Sequence, residues 1–240
     1  SGKRAEIWLC FGLWRIGFPD AHKPKQSQIS ARLPLVNYKN VVFNDKKQTV
    51  YLKKKGMKLD LGGIAKGFIS DEVKKVLQKD GVTSAIIDLG GNVYVLGESP
   101  TNHSNWTVGV QDPKQSRGTA IGTVPEMNTT VVTSGIYERY LKVGKTIYSH
   151  PMNPRTGYPF QNNLMGVTIV TKYSTDGDAL STATFDKGLK DGYKYIEREK
   201  DTDAIFITKD KKVYVTSGLQ KKFKLFSDSG YKLAHISDIK

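Results

Sequence analysis

The chain has 240 residues, with 37 Lys and Arg against 23 Asp and Glu, a formal charge of +14, one cysteine and 38% hydrophobic residues. This length holds one large domain or two small ones, the apolar share is too high for a disordered tail, and no run approaches the ~20 apolar residues of a membrane span. One cysteine excludes an intramolecular disulfide framework and any multi-cysteine metal site, while the charge admits a polyanion partner or, more simply, a Lys-rich solvated surface.

In chain order, residues 41–52 read as a hairpin around the turn Asn44-Asp45-Lys46-Lys47. A helix follows, with Ile64, Phe68, Val73, Val76 and Leu77 as its inward face. Asp71, Glu72, Lys74, Lys75 and Lys79 face away, and Asp80-Gly81 stops it. Strands are expected at 85–89, 93–96 and 106–110, a hairpin at 140–148 and a β-branched strand at 167–170. One helix is expected from Asp178 through Phe185 and another from about Asp191 to Glu199, before a hairpin over 204–215. No repeat divides the chain, so a single domain over 1–240 is expected. Hairpins dominate, which predicts an α+β fold of mostly antiparallel strands with a few packed helices rather than a doubly wound parallel sheet.

Five constellations bear chemistry. In Leu59-Asp60-Leu61-Gly62-Gly63-Ile64-Ala65-Lys66-Gly67 a strand end runs through two glycines into a helix start. There backbone N–H groups and Lys66 suit an anion, or the glycines serve only a tight turn. It is neither the Walker loop nor the dinucleotide fingerprint. Asp88-Leu89-Gly90-Gly91-Asn92 lies between two strands, either beside a flat ligand or as a turn that Asp88 caps. Thr133-Ser134-Gly135 and Tyr137 offer a hydroxyl, an amide and a stacking ring, or a turn and core aromatics. In Ser149 to Pro159, His150 leaves a strand at a Pro-rich loop and is suited to proton transfer, while Arg155 is suited to a phosphate; a structural His is the plainer alternative. Asp178 and Thr182 stand four residues apart, so on a helix they share a face. A carboxylate and a hydroxyl suit a hard cation such as Mg²⁺, whereas the alternative makes Asp178 an N-cap and Thr182 packing.

Taken in this order, the five blocks resemble the ApbE family of FAD-dependent protein FMN transferases. The matching residues are Asp60–Gly67, Asp88–Asn92, Thr133–Gly135 with Tyr137–Tyr140, His150 with Asn153–Pro159, and Asp178–Ala183, preceded by Leu13-Trp14-Arg15-Ile16-Gly17-Phe18. The resemblance implies an α+β enzyme that uses Mg²⁺ to move FMN from FAD onto a threonine hydroxyl of a partner protein, releasing AMP. It assigns Mg²⁺ to Asp178, Thr182 and the Ala65 carbonyl, places Lys66 near the phosphates and lines the flavin nucleotide with Ser134, Gly135 and Tyr137. To these the matching blocks add Asp178 and His150 as candidates for catalysis, and Gly62, Gly63, Asp88, Gly90, Gly91, Asn92, His150, Arg155 and Thr156 as candidates for FAD binding. The expected partner carries an Asp-x-x-Ser/Thr-Gly/Ala-Ala-Thr motif, and no nucleic acid is expected. An extracytoplasmic place follows from the resemblance, as a periplasmic enzyme or a lipoprotein anchored through a preceding segment.

Two departures stand out. Asn153 replaces an aspartate usual after the histidine, and residues 1–12 lack the family's Gly-x-Phe-Asp block, so a domain shortened at its N-terminus is expected. Cys10 reads as a buried thiol. These departures keep two alternatives in view: an FAD-binding or FAD-hydrolysing flavin protein, and a cationic polyanion-binding protein. Asp178-x-x-Ser181-Thr182-Ala183-Thr184 itself looks like the acceptor motif, which makes Thr184 a candidate for self-modification.

Overall fold

The computed structural model describes residues 11–116, 118–136 and 139–239; Cys10 and Tyr137 lie outside the described residues. In chain order it contains α1 (Phe11–Trp14), α2 (Gln26–Arg32), β1 (Val41–Asn44), β2 (Thr49–Leu52), α3 (Ala65–Lys79), β3 (Ala85–Asp88), β4 (Asn92–Leu96), β5 (Trp106–Gln111), β6 (Ala120–Glu126) and β7 (Thr129–Gly135). Then follow β8 (Tyr140–Val143), β9 (Thr146–Ser149), β10 (Leu164–Thr171), α4 (Ser174–Ile196), β11 (Thr202–Thr208), β12 (Lys212–Val215), β13 (Lys224–Leu225) and β14 (Lys232–Leu233). The mixed α+β architecture, with few helices and mostly antiparallel pairing, is the one expected from the sequence.

The chain divides into two compact units, one of residues 1–63 and 136–161, the other of 64–135 and 162–240. In the first, β1 pairs with β2 and β8 with β9, each antiparallel. Trp14, Ile16, Ile29 and Met152 form its main apolar cluster. The buried Trp14 indole donates Nε1–H to the Gly157 carbonyl at 2.9 Å, which ties the Pro-rich loop to the first helix.

The second unit is built on a seven-stranded sheet, β14-β12-β11-β10-β7-β4-β3, beside a three-stranded one, β13-β6-β5. The central β10 is buried along its whole length, and the β-branched strand expected at 167–170 lies inside it. Val95, Val110, Ile121, Val124, Ile205, Ile207, Val213 and Leu219 are among the core side chains.

Two expectations about the helices need correction. The two helices expected after residue 178 are one element, α4, which begins at Ser174 and bends at Gly188, where φ is 74° and the backbone leaves the helix. Gly188 is thus the break that the sequence reads as an end. On α3, Leu77 packs against Ile87, Tyr94 and Leu96, but three of the five apolar positions expected inward do not face the core. Gly67, Ser70, Asp71 and Lys74 are buried, while Phe68, Val73 and Val76 are exposed.

Candidate functional site

The reversed burial of α3 has a local cause. The first turn of any helix presents N–H groups without partners inside the helix. The residue before α3 is Ile64 and the residue before α4 is Tyr173, and neither caps its helix with a side chain. Each helix instead receives its acceptor from the other. Asp178 of α4 accepts the Gly67 N–H at 3.0 Å. Asp71 of α3 accepts the Ser174 N–H at 3.0 Å, the Thr175 N–H at 2.9 Å and the Thr175 hydroxyl at 2.7 Å. Both carboxylates thus sit where a helix N-terminus favours negative charge.

Small residues make the approach possible. A Cβ on Gly67 would fall inside the Ser174 carbonyl, and one on Gly177 would press on Val132 and Thr130 of β7. Ser174 continues the contact through its hydroxyl, 3.1 Å from Ser70 and 2.8 Å from Thr130. Lys74 closes the far side: its ammonium is 3.3 Å from Asp71 and lies over the rings of Tyr94 and Tyr173, 4.6 and 5.2 Å from their centres.

The two carboxylates titrate in opposite directions. Burial works against the charged form of Asp71, but the Thr175 hydroxyl, the Thr175 and Ser174 amides and the Lys74 ammonium outweigh it, so the carboxyl stays below the usual range. For Asp178 burial wins and pushes the carboxyl up, against the Gly67 amide and the Lys66 charge. Asp178 is therefore the carboxylate whose burial a cation would offset.

Around Asp178 the second unit gathers several of the expected residues. Asp178 lies in the second turn of α4 and is not its N-cap. Ser134 at the end of β7 has its hydroxyl 2.8 Å from Ser181 and 3.4 Å from Thr182, both on α4. Gly135 ends the same strand, buried. Ala65 and Lys66 open α3 beside Gly67. Asp88-Leu89-Gly90-Gly91 is the turn between β3 and β4. Asp88 accepts the Gly91 N–H at 3.0 Å, and Gly90 and Gly91 have φ of 64° and 91°, a left-handed pair that favours glycine. The block is therefore a turn that Asp88 caps. Asn92 follows it, fully buried, with its Nδ2 unpartnered among the described residues.

The remaining expected residues belong to the first unit. The Gly62 N–H is taken at 2.6 Å by Asp60 two residues earlier, so it serves a turn, and Gly63 follows without crowding. His150 leaves β9 half-buried, with its N–H on the Arg139 carbonyl at 3.2 Å. Asn153 holds the Pro-rich turn: its Oδ1 accepts the Arg155 N–H at 2.9 Å and its carbonyl the Gly157 N–H at 2.8 Å. Arg155 and Thr156 are exposed on that turn.

Sequence reading missed Gly67 as a partner of Asp178, and missed Asp71, Ser174, Thr175 and Ser181. One signal was present: Gly67 and Asp71 are four residues apart and so share a helix face.

The model of the ApbE family matches residues 7–206. A curated protein of Klebsiella pneumoniae (strain 342) named FAD:protein FMN transferase is 39% identical over 221 residues, which cover 92% of this chain and 67% of the relative. Its namesake in Treponema pallidum (strain Nichols) is 33% identical over 225 residues, covering 89% and 62%. Among solved structures, the ApbE protein of Thermotoga maritima superposes with a TM-score of 0.77 at 30% identity, over 86% of this chain and 66% of that one. The apo flavinyl transferase ApbE of Pseudomonas stutzeri gives 0.76 at 25% identity, over 92% and 68%. The chain spans about two thirds of the length of these relatives.

Proposed function

The chain belongs to the ApbE family, and on that premise we propose that it transfers FMN from FAD, with Mg²⁺, to a threonine hydroxyl of a partner protein and releases AMP. The observation that carries the reading is the buried Asp178 at the first turn of α3, on the same helix as Thr182, whose hydroxyl lies 3.4 Å from that of Ser134 of β7. Asp178, Thr182 and the Ala65 carbonyl are an oxygen-only donor set, which fits Mg²⁺ completed by water and phosphate oxygens. Mg²⁺ bound there would polarise the phosphoryl oxygens of FAD and steady the departing AMP.

The chain's own groups divide the rest. Lys66, whose charge already acts on Asp178, supplies positive charge toward a pyrophosphate. Ser134, Gly135, Tyr137, Asp88, Gly90, Gly91 and Asn92 are assigned to the flavin nucleotide. Gly62, Gly63, Arg155 and Thr156 stay candidates for FAD binding. His150 is assigned the threonine proton. The departure at Asn153 does not favour the hydrolysing alternative, because its side-chain oxygen serves a turn that an aspartate would hold equally. Thr184 is fully buried, so its hydroxyl does not meet a nucleotide unless α4 opens, which argues against self-modification.

The test is incubation with FAD, MgCl₂ and a protein bearing the acceptor motif. In-gel flavin fluorescence on the acceptor and stoichiometric AMP are expected. FMN and AMP without covalent flavin would select the hydrolysing alternative, and neither product would remove both.

A further inference from the structure

The hairpin β1–β2 of the first unit holds none of the residues assigned above to FAD or Mg²⁺. Residues 38–58 hold seven of the chain's lysines, Lys39, Lys46, Lys47, Lys53, Lys54, Lys55 and Lys58, against a single acid, Asp45. That is a local excess of six charges within the chain's +14. All seven lysines are exposed, and none forms an ion pair among the described residues. The hairpin is an ordered element and not a loose loop. Its turn is fixed by Asn44 Oδ1 accepting the Lys47 N–H at 3.0 Å and by the Gln48 side chain donating to the Asp45 carbonyl at 2.6 Å.

Its apolar side chains are out of place for a solvated ribbon. Directly opposed residues of an antiparallel pair share a face, and successive pairs alternate faces. Val41 and Leu52 therefore share a face with Phe43 and Val50, while Val42 and Tyr51 share the other. At the base, Val41 and Leu52 pack against Met57 with Leu35, Val36 and Leu59. Beyond that cluster the same face continues as Phe43 and Val50, 61% and 52% exposed, and the reverse face carries Tyr51, 65% exposed. Lysines flank this apolar stretch at both ends, Lys46 and Lys47 at the turn and Lys53 to Lys55 at the base, about 13 Å apart for a four-residue strand.

We propose that this hairpin is a docking surface for an anionic lipid bilayer, lying in the headgroup layer with Phe43 and Val50 toward the acyl chains. Aromatic and aliphatic side chains bracketed by long cationic ones match that interface, since lysine stems run along apolar surface while their ammonium groups reach lipid phosphates. Charge complementarity sets the partner: each lysine near an anionic surface contributes attraction, and the excess of six is concentrated on one element. A nucleic acid fits less well. Stacking on bases needs aromatic rings on one platform, and Phe43 and Tyr51 stand on opposite faces. Among the described residues no helix is long and apolar enough to cross a membrane, and a peripheral contact requires none.

The test is flotation of the 240-residue chain with vesicles of phosphatidylcholine alone or mixed equally with phosphatidylglycerol. Binding to the mixed vesicles is expected at low salt, at least about tenfold weaker to the neutral ones, and released by high salt. The variant K46Q/K47Q/K53Q/K55Q should lose binding at least about tenfold, and the same four changes to Arg should keep it. The variant F43S/V50S should weaken binding while leaving its salt dependence in place. Removing four lysines elsewhere, at Lys79, Lys114, Lys200 and Lys221, should change little. Circular dichroism melts identify any variant that has lost its fold, and the Arg variant then carries the result. Equal loss from the distant lysines would reduce the effect to net charge and overturn the proposal. So would equal binding to neutral vesicles, no binding at all, or tighter binding to a single-stranded oligonucleotide that vesicles fail to displace. None of these outcomes bears on flavin transfer, which is assayed separately.

Discussion

The two faces of α3 invert the usual rule. One face buries glycine, serine, aspartate and lysine; the other leaves Phe68 and Val76 exposed at 56% and 57%. Burial here follows from what docks rather than from what is apolar. Gly67 and Ser70 let the backbone of α4 come close, and close backbones bring unpaired amides, which here Asp178 and Asp71 accept. The apolar face has no such partner among the described residues. The polar face therefore holds geometry, and the apolar face holds little of the stability.

Four substitutions break or sharpen that contrast. The largest effect is expected at Asp178. Asp178→Asn keeps an oxygen for the Gly67 amide but removes the charge, and transfer should fall roughly 100-fold or more, with a higher Mg²⁺ requirement. The same variant should melt higher than the parent at neutral pH. The folded-state carboxyl is raised, so its charged form costs stability above that value, and the cost is relieved as pH falls through it. Thermal melts from neutral to acid pH, with single-turnover AMP release, check both halves; a variant that melts lower at neutral pH would contradict the sign.

Gly67→Ala comes next. Its methyl group meets backbone, which does not yield cheaply, and a loss of about 3 kcal/mol is expected in urea denaturation. Asp71→Asn should cost about 2 kcal/mol at neutral pH, through a weakened cap and an unpaired Lys74. Because the Asp71 carboxyl is held low, its contribution is complete above the ordinary carboxylate range and is lost as pH falls through the depressed value. The gap between parent and variant should therefore close on acidification. The smallest effect is expected for Val76→Ser on the opposite face, within about 0.5 kcal/mol. A loss there as large as at Asp71 would mean that the apolar face is the one that matters.

The same contrast explains what the sequence could tell. Strands with plain patterns, such as the β10 run and the Lys209-Asp210-Lys211-Lys212 turn between β11 and β12, were legible because one physical effect dominates each. The family was legible because five short blocks stand in order, and Asp178 and Thr182 fell on one helix as their spacing implies. The face of α3 was not legible, since periodicity reports apolar residues and the docking there depends on an absent Cβ and on two helices without caps of their own. The start of α4 was misplaced for the same reason. Its cap lies 103 residues away, on Asp71, where no local rule looks.

That exchange of caps also binds the two helices in time. Neither first turn is complete alone, so fraying of one withdraws the acceptor that closes the other. Hydrogen exchange should therefore release the Gly67, Ser174 and Thr175 amides at one common rate, although the chain places them a hundred residues apart. The carboxylate assigned to the cation would be presented only when both helices are formed, so the cation site would open and close as a single cooperative unit.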